Sequence, residues 1–419
     1  MRYFVAWFAL FVPAGLTGQG PEYRIYAGNT HSHTSGTWSH GDQWATDGCS
    51  GILVYANHAW SDGYVKSQTG CAGIYVINGL QYPSPSVKLK PEWQKLQGPP
   101  SEHFALARAN GYDFYTTADH SQEAGLQAAG ADNAGWAAAK QAAADATDRD
   151  FVALAGFEFS ENNGPGGTGH INVINSAGIL NALAPGNDLP HFYNWLKTAA
   201  SNASGPVAVS FNHPDAHQYN DWDYRDPQVT DIITMLEVIN SNNKIHYEAF
   251  LNALDKGWKV SPVCGNDNHG LGGITKHTSR TFVLAKAKDT ASLLEAMKSR
   301  RTYASLDRNL QCRYTVNGMI MGSTLDRPSS LRFNISVNDP DTENPKDKIT
   351  KIDIVTNGGR VVETYSVPMA DYSVRWSPVI NDTNASYFFV RVWNSGGGDA
   401  PGADPAKPVA WLAPVWTGR

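Results

Sequence analysis

Cysteine is scarce, with 4 in 419 residues, so no dense disulfide framework holds this chain together. A strong charge of either sign is also missing. The 33 basic residues nearly balance 39 acidic ones, which leaves no broad field for nucleic acid or an anionic membrane, and any anionic partner must be held by a local site. There is no internal repeat, no low-complexity tract, and no apolar run of the ~20 residues that a membrane helix needs. The longest apolar run is near the start. "MRYFVAWFALFVPAGLTGQ", residues 1–19, has one Arg, roughly a dozen apolar residues, then small and polar ones, which is the layout of a secretory signal peptide. No Cys follows it to carry a lipid, so the mature chain is expected to be secreted or periplasmic and without a membrane anchor.

What is present is a long alternation of strand and helix patterns. From Tyr23 to about Tyr303 the strand candidates are "YRIYAGN", "YDFYTTAD", "FVALAGFEF", "HINVIN", "VAVSFN", "IITMLEVIN", "VSPVCGN" and "RTFVLA". Helical segments such as "SEHFALARANG" and "TASLLEAMKSRR" lie between them, and Gly257 sits where a C-cap is expected. This order predicts an α/β fold with mostly parallel strands, arranged as a barrel. Residues 43–100 break the rhythm and read as an insertion over the barrel mouth, in which Trp44, Trp60 and Trp93 either line a pocket or hold the loop together. After residue 310 alternating strands predict an antiparallel β-sandwich, giving a division into 20–309 and 310–419. A Cys49–Cys71 bridge would close a loop of about 23 residues, worth ~3 kcal/mol. Cys264 and Cys312, in apolar runs, are expected to be buried thiols.

In a barrel the chemistry sits where strands end. The first run ends in His31 and His33, whose one-residue spacing points both imidazoles the same way on an extended backbone. Later runs end in "ADH" (Asp119, His120), "GFE" (Glu158), "NHP" (His213) and "GNDNH" (Asp267, His269). Any one of these is an ordinary loop residue. Together they put imidazoles, a Glu and an Asp at one end of the fold, which is the ligand set of Zn, Mn or Fe sites. His170 in "GHINVIN" precedes its run, so it joins the others only if that strand runs opposite to its neighbours or enters by a hairpin.

The order HxH, DH, Glu, His, HP and DxH resembles the PHP (polymerase and histidinol phosphatase) superfamily of metallohydrolases over residues 23–305. The segment from "AMKSRRTYASLDRN" to the closing "AWLAPVWTGR" is similar to the branch that includes exported carbamate and ester hydrolases. The resemblance implies a distorted (β/α)7 PHP-type barrel holding two to three divalent ions. It implies as ligands His31, His33, His120, Glu158 (bridging), His170, His213, Asp267 and His269, with His40, or Asp42 in its place, as a further one. Relatives often carry an acidic residue just before the first His, where this chain has Asn29 and Thr30.

Three divalent ions would bring six positive charges against two from Glu158 and Asp267, an excess that suits an anionic ester and lowers the pKa of a bridging water. The expected activity is a phosphoesterase acting on phosphomono- or diesters through a metal-bridging hydroxide. The alternatives are hydrolysis of a carboxylic ester, carbamate or amide at the same metals, or a surface- or carbohydrate-binding protein with a structural metal site. Asp119 is a candidate to orient a ligand or shuttle a proton, and equally to cap a turn. His217 is a candidate general acid, and His277, Arg280 and Arg301 are substrate-binding candidates, each with an ordinary structural role as its competitor. His58, His103, His191 and His246 read as structural.

Overall fold

The computed structural model describes residues 23–37, 97–121, 134–161, 169–182 and 186–418, and the backbone of short strands between 44 and 89. The proposed signal segment, His40, Asp42, His58, Cys49, Cys71 and the side chains of Trp44, Trp60 and Trp93 lie outside the described residues.

Strand and helix alternate through the first three quarters of the chain. The strands are β1 (Arg24–Asn29), β2 (Phe114–His120), β3 (Val152–Glu161), β4 (Gly169–Ile174), β5 (Ala208–Asn212), β6 (Ile233–Asn240), β7 (Ser261–Cys264), β8 (Arg280–Ala285) and β9 (Thr302–Ser305). Helices α1 (Pro100–Ala109), α2 (Ala134–Ala146), α3 (Leu189–Asn202), α4 (Tyr247–Asp255) and α5 (Thr290–Lys298) are interspersed among them. β2, β5 and β6 bury every residue, as strands covered on both faces do. The helices cover them with one apolar stripe each: α3 buries Leu189, Phe192, Tyr193, Leu196 and Ala199, at helical spacing, behind an Asp188 N-cap. Gly257, with φ +91°, follows α4 where only glycine is unstrained.

One large mixed sheet runs in the order β6, β5, β4, β3, β2, β1, β8, β9, with β7 beside β6. β1, β2 and β3 pair in parallel, as do β5, β6 and β7. β4 is antiparallel to both β3 and β5. The reason is chain length: the connection 162–168 is shorter than the dozen or so residues of a parallel crossover, so β3 must return as a hairpin. All six co-directional strands therefore end at the edge where β4 begins. The predicted barrel is not closed by any ladder among the described residues. β7 instead meets β8 and β9 through side chains, Thr281 Oγ1 donating to the Cys264 carbonyl (2.8 Å) and Thr302 Oγ1 to Ser261 Oγ (2.7 Å). Small hydroxylated residues here replace ladder bonds.

The C-terminal segment is antiparallel. β10 (Gln311–Val316) and β11 (Leu331–Asn338) form a separate sheet, whereas β12 (Ile349–Thr356), β13 (Arg360–Asp371), β14 (Tyr387–Asn394) and β15 (Ala410–Leu412) extend the large one, because β15 pairs with β9. β11 alternates buried and outward residues, the pattern of a half-covered strand. Cys264 and Cys312 are buried free thiols.

Gly169 opens β4 at φ +95°, and a Cβ there would stand 2.5 Å from the Tyr219 ring. The Tyr219 hydroxyl donates to the carbonyls of His170 (2.6 Å) and Asn212 (3.1 Å), tying together the ends of β4 and β5. Gly169→Ala is therefore expected to cost about 2 kcal/mol and to lower the melting temperature by several degrees in a thermal unfolding scan; an unchanged melting temperature would contradict this packing.

Candidate metal centre

The strand ends bring six imidazoles and two carboxylates together. His31 and His33 follow β1, His120 ends β2, Glu158 lies near the end of β3, His170 starts β4, His213 follows β5, and Asp267 and His269 follow β7. The hairpin return of β4 is what places His170 with the rest: it pairs with Ser160 on one side and Asn212 on the other. Backbone bonds lock the first and last loops to each other, His33 N–H donating to Asn268 O (2.9 Å) and Asp267 N–H to His31 O (3.0 Å). Asn29 reinforces the same junction. Its amide donates to His31 O (2.8 Å) and its oxygen accepts from Asn266 N–H (2.8 Å), so the neutral residue before the first His serves as a loop latch.

Glu158 is the hub. Its Oε1 lies 3.2 Å from His170 Nδ1, 3.3 Å from His213 Nε2 and 3.4 Å from His31 Nε2, while Oε2 lies 3.1 Å from His120 Nε2 and 3.8 Å from His33 Nε2. The two oxygens thus face different imidazoles, the geometry of a bridging carboxylate. Asp267 Oδ1 sits 3.0 Å from His33 Nε2 and Oδ2 sits 3.9 Å from His213 Nε2. Three overlapping groups have donor atoms spaced to share an ion: His33, His120 and His269; His31, His33 and Glu158; Glu158, His170 and His213. The floor, His31, His33 and Glu158, is fully buried, and the side chains of His170, His213 and His269 are about a quarter exposed at the rim.

The donor chemistry fits a cation. His31 Nδ1 donates to Glu237 Oε1 at 2.9 Å, so in the neutral ring Nε2 carries a lone pair. That lone pair faces Glu158 Oε1 at 3.4 Å and Asp267 Oδ1 at 3.5 Å, three electron-rich atoms that need a positive charge among them. Burial pushes the His31 imidazole down, yet Glu237, Asp267 and Glu158 overcome it and hold its pKa up to about 10. Burial likewise lowers His213, and the Glu158 hydrogen bond with the charge of Asp267 lifts it to about 9. Glu158 and Asp267 would rise on burial alone, but the surrounding imidazoles keep both well below the carboxylate range. His170 and His269 are lowered, chiefly by burial.

Glu237 escaped the sequence reading. It stands inside the apolar run of β6, fully buried, with Oε1 on His31 and Oε2 accepting from His213 N–H (2.7 Å) and Asn240 Nδ2 (2.8 Å). A charged residue in the middle of an all-buried strand was the available signal. His213 (φ +29°) and Asp267 (φ +48°) hold left-handed backbone that their residue types adopt rarely, and the bonds from Glu237 and His31 O fix these turns.

The remaining candidates separate by position. Asp119 does not touch the imidazole cluster directly: Oδ1 accepts from Thr34 N–H (2.7 Å) and Thr37 Oγ1 (2.8 Å), Oδ2 from Thr34 Oγ1 (2.6 Å), and Thr37 Oγ1 lies 3.3 Å from His33 Nδ1. It shapes the loop that orients His33. His217 has a side chain 79% exposed and pairs with Asp221 at 2.7 Å, away from the cluster. Arg301 lies at the opposite end of the sheet, where its guanidinium bonds Leu284 O and Glu295; Leu284 pairs with Ile25 near the start of β1. Arg280 is at the site end of β8, stacked 3.6 Å over Tyr112 and donating to the carbonyls of His277 and Ser279 (both 2.9 Å). His277 feels the Asp267 charge, although burial first and Arg280 second push its pKa down to about 4. His103 and His246 are bonded to the backbone oxygens of Gln97 and Pro214.

No family model matches this chain, and no curated protein matches it. Among solved structures, a two-domain protein from Bacteroides vulgatus containing a predicted PHP-like metal-dependent phosphoesterase is similar at 15% identity, with 94% of this chain and 96% of that chain covered and a TM-score of 0.42. A likeness this distant identifies neither the family nor the chemistry of this chain.

Glu237→Gln is expected to weaken metal binding about 10–100-fold, measured by competition with a chromogenic chelator, with His217→Ala as a control that leaves affinity unchanged. Equal affinity in both variants would remove the positioning role. Because His31 and His213 hold protons above neutrality, a metal must displace them, so calorimetry in buffers of different ionisation enthalpy should show proton release on metal loading at neutral pH and weaker binding as pH falls. Loading without proton release would contradict protonated His31 and His213 in the metal-free chain.

Proposed function

We propose that this chain is an exported, PHP-type metal-dependent phosphoesterase acting on phosphomono- or diesters, with His31, His33, His120, Glu158, His170, His213, Asp267 and His269 as ligands of two to three divalent ions. The observation that carries the reading is the convergence of five imidazoles on the two oxygens of one buried carboxylate, Glu158, with His269 grouped with His33 and His120 and Asp267 beside them. The finer fold, a distorted (β/α)7 barrel, is part of the same proposal: the co-directional strand ends and the side-chain seam of β7 with β8 and β9 support it.

Bound divalent ions supply Lewis acidity and lower the pKa of a water molecule. The chain's own residues set the conditions for that. Glu237 fixes the His31 tautomer, Thr37 and Asp119 set the His33 ring, and Asn212 Nδ2 holds Glu158 Oε1 at 2.9 Å. The buried floor keeps the ligands rigid, while the rim of His170, His213 and His269 is the side open to substrate. Charge selects the substrate: Glu158 and Asp267 offset only two of four to six metal charges, and an anionic ester balances the remainder. A structural site needs about four ligands, and this cluster holds eight, which favours an open catalytic centre over a binding protein with a structural ion. On this reading His277, which feels the Asp267 charge, is the substrate-facing candidate, Arg280 is buried behind it against Tyr112, and the anionic ester is the partner.

Turnover of para-nitrophenyl phosphate, its bis ester and para-nitrophenyl acetate by the metal-loaded chain tests the assignment. One of the two phosphates is expected to exceed the acetate by at least about tenfold in kcat/KM. Asp267→Ala with His269→Ala is expected to lose turnover about a thousandfold while the C-terminal sheets stay folded. Preference for the acetate would replace phosphoester by carboxylic ester, carbamate or amide hydrolysis.

A further inference from the structure

A second cluster of charged side chains lies in the C-terminal half, built from four separate segments. Asp307 follows β9, Asp339 follows β11, Asp347 closes the turn Pro345–Asp347 before β12, and Asp399 sits in the loop after β14. Carboxylate oxygens of Asp307, Asp347 and Asp399 lie within 4.8 Å of one another, twice a calcium–oxygen distance of about 2.4 Å. Asp339 faces the same three carboxylates.

Burial makes the arrangement costly. Asp307 and Asp339 are each 1% exposed and Asp347 is 4% exposed. Among the described residues Arg308 is the cation paired with the group, and it bonds Asp399, its N–H and Nε donating to Oδ2 at 2.9 and 3.0 Å. Asp307 is partly offset by neutral donors, its Oδ1 accepting from the N–H groups of Asn309 and Leu310 (both 3.0 Å). Asp339 is the telling member: Oδ1 accepts from Asp341 N–H at 2.9 Å, whereas Oδ2 is fully buried and, among the described residues, within 3.5 Å of no hydrogen-bond partner, its neighbour being the Asp307 carboxyl. A buried carboxylate oxygen without a hydrogen-bond partner, in a group of four carboxylates, carries a desolvation and repulsion cost that a bound cation removes.

The backbone is shaped to bring Asp399 in. Gly397 and Gly398 hold φ +77° and +118°, and a Cβ on Gly398 would stand 2.7 Å from Leu306 Cβ, so the loop "SGGGDA" lies directly against the residue before Asp307. Asp399 N–H donates to Leu306 O at 3.2 Å, completing the contact.

We infer that Asp307, Asp339, Asp347 and Asp399 form a calcium site that ties the separate sheet, through Asp339, to the large sheet and its loops. All-oxygen, carboxylate-only ligation selects a hard cation over the metals that imidazoles favour, and four independent loop segments suit the irregular, higher coordination of calcium better than a rigid octahedron of magnesium. The inference does not rest on the reading of the histidine centre.

The test is thermal unfolding of the full chain with millimolar calcium against a calcium chelator, in the wild type, in Asp267→Ala/His269→Ala and in Asp339→Asn/Asp347→Asn. Calcium is expected to raise the melting temperature by about 4 °C in the first two and not in the third. Terbium, used as a luminescent calcium probe, should be displaced by calcium, with affinity at least about tenfold lower in Asp339→Asn alone, a substitution that keeps the side-chain shape and folds if the double variant does not. No calcium shift in the wild type, or an equal shift and equal terbium affinity in the Asp339 variants, would overturn the proposal.

Discussion

Glu158 is the constraint on which the strand-and-helix half of the chain depends. A carboxylate that is 1% exposed in the middle of a sheet is affordable only if positive charge surrounds it, and here that charge is drawn from imidazoles supplied by different strands. Satisfying it fixes where β1, β2 and β5 must end and where β4 must begin. It also agrees with the reversal of β4, which the short connection imposes, since an antiparallel β4 delivers His170 to Oε1. The remaining loops are then pinned by the bonds that those imidazoles need behind them: Glu237 on His31, the Thr37 and Asp119 pair behind His33, and Asn29 across the two loops.

The same physics appears twice in the molecule with different outcomes. At the strand ends buried carboxylates are matched by imidazoles, so the cluster is close to balanced and poised for borderline metals. In the C-terminal half four carboxylates meet one guanidinium, and the imbalance points to a hard cation. The large sheet passes between the two regions through the β9–β15 pairing, so both lie on one continuous framework.

Much of this was legible in the sequence. Eight strand candidates and the helices between them stand where the apolar periodicity placed them, because strands buried on both faces leave unbroken apolar runs. The histidine and carboxylate ends were legible because the residues are rare and each directly closes such a run, and the condition set on His170, a reversed strand or a hairpin, is the arrangement found. Glu237 was missed because it interrupts a run rather than ending it. Which end of the sheet a residue occupies could not be read for Arg301: its position depends on β8 running antiparallel to β1, a pairing set by tertiary contacts. The four C-terminal aspartates were unreadable for a related reason, since loops distant in sequence converge only once both sheets have formed.

If the imidazole and carboxylate cluster is a multinuclear metal centre, the purified protein carries transition metal in a fixed ratio. Metal analysis of the purified full chain by inductively coupled plasma mass spectrometry tests it most directly. Two to three transition-metal ions per chain are expected in the wild type, falling by at least one in His269→Ala. A wild-type chain that holds no transition metal after growth in supplemented medium would contradict it.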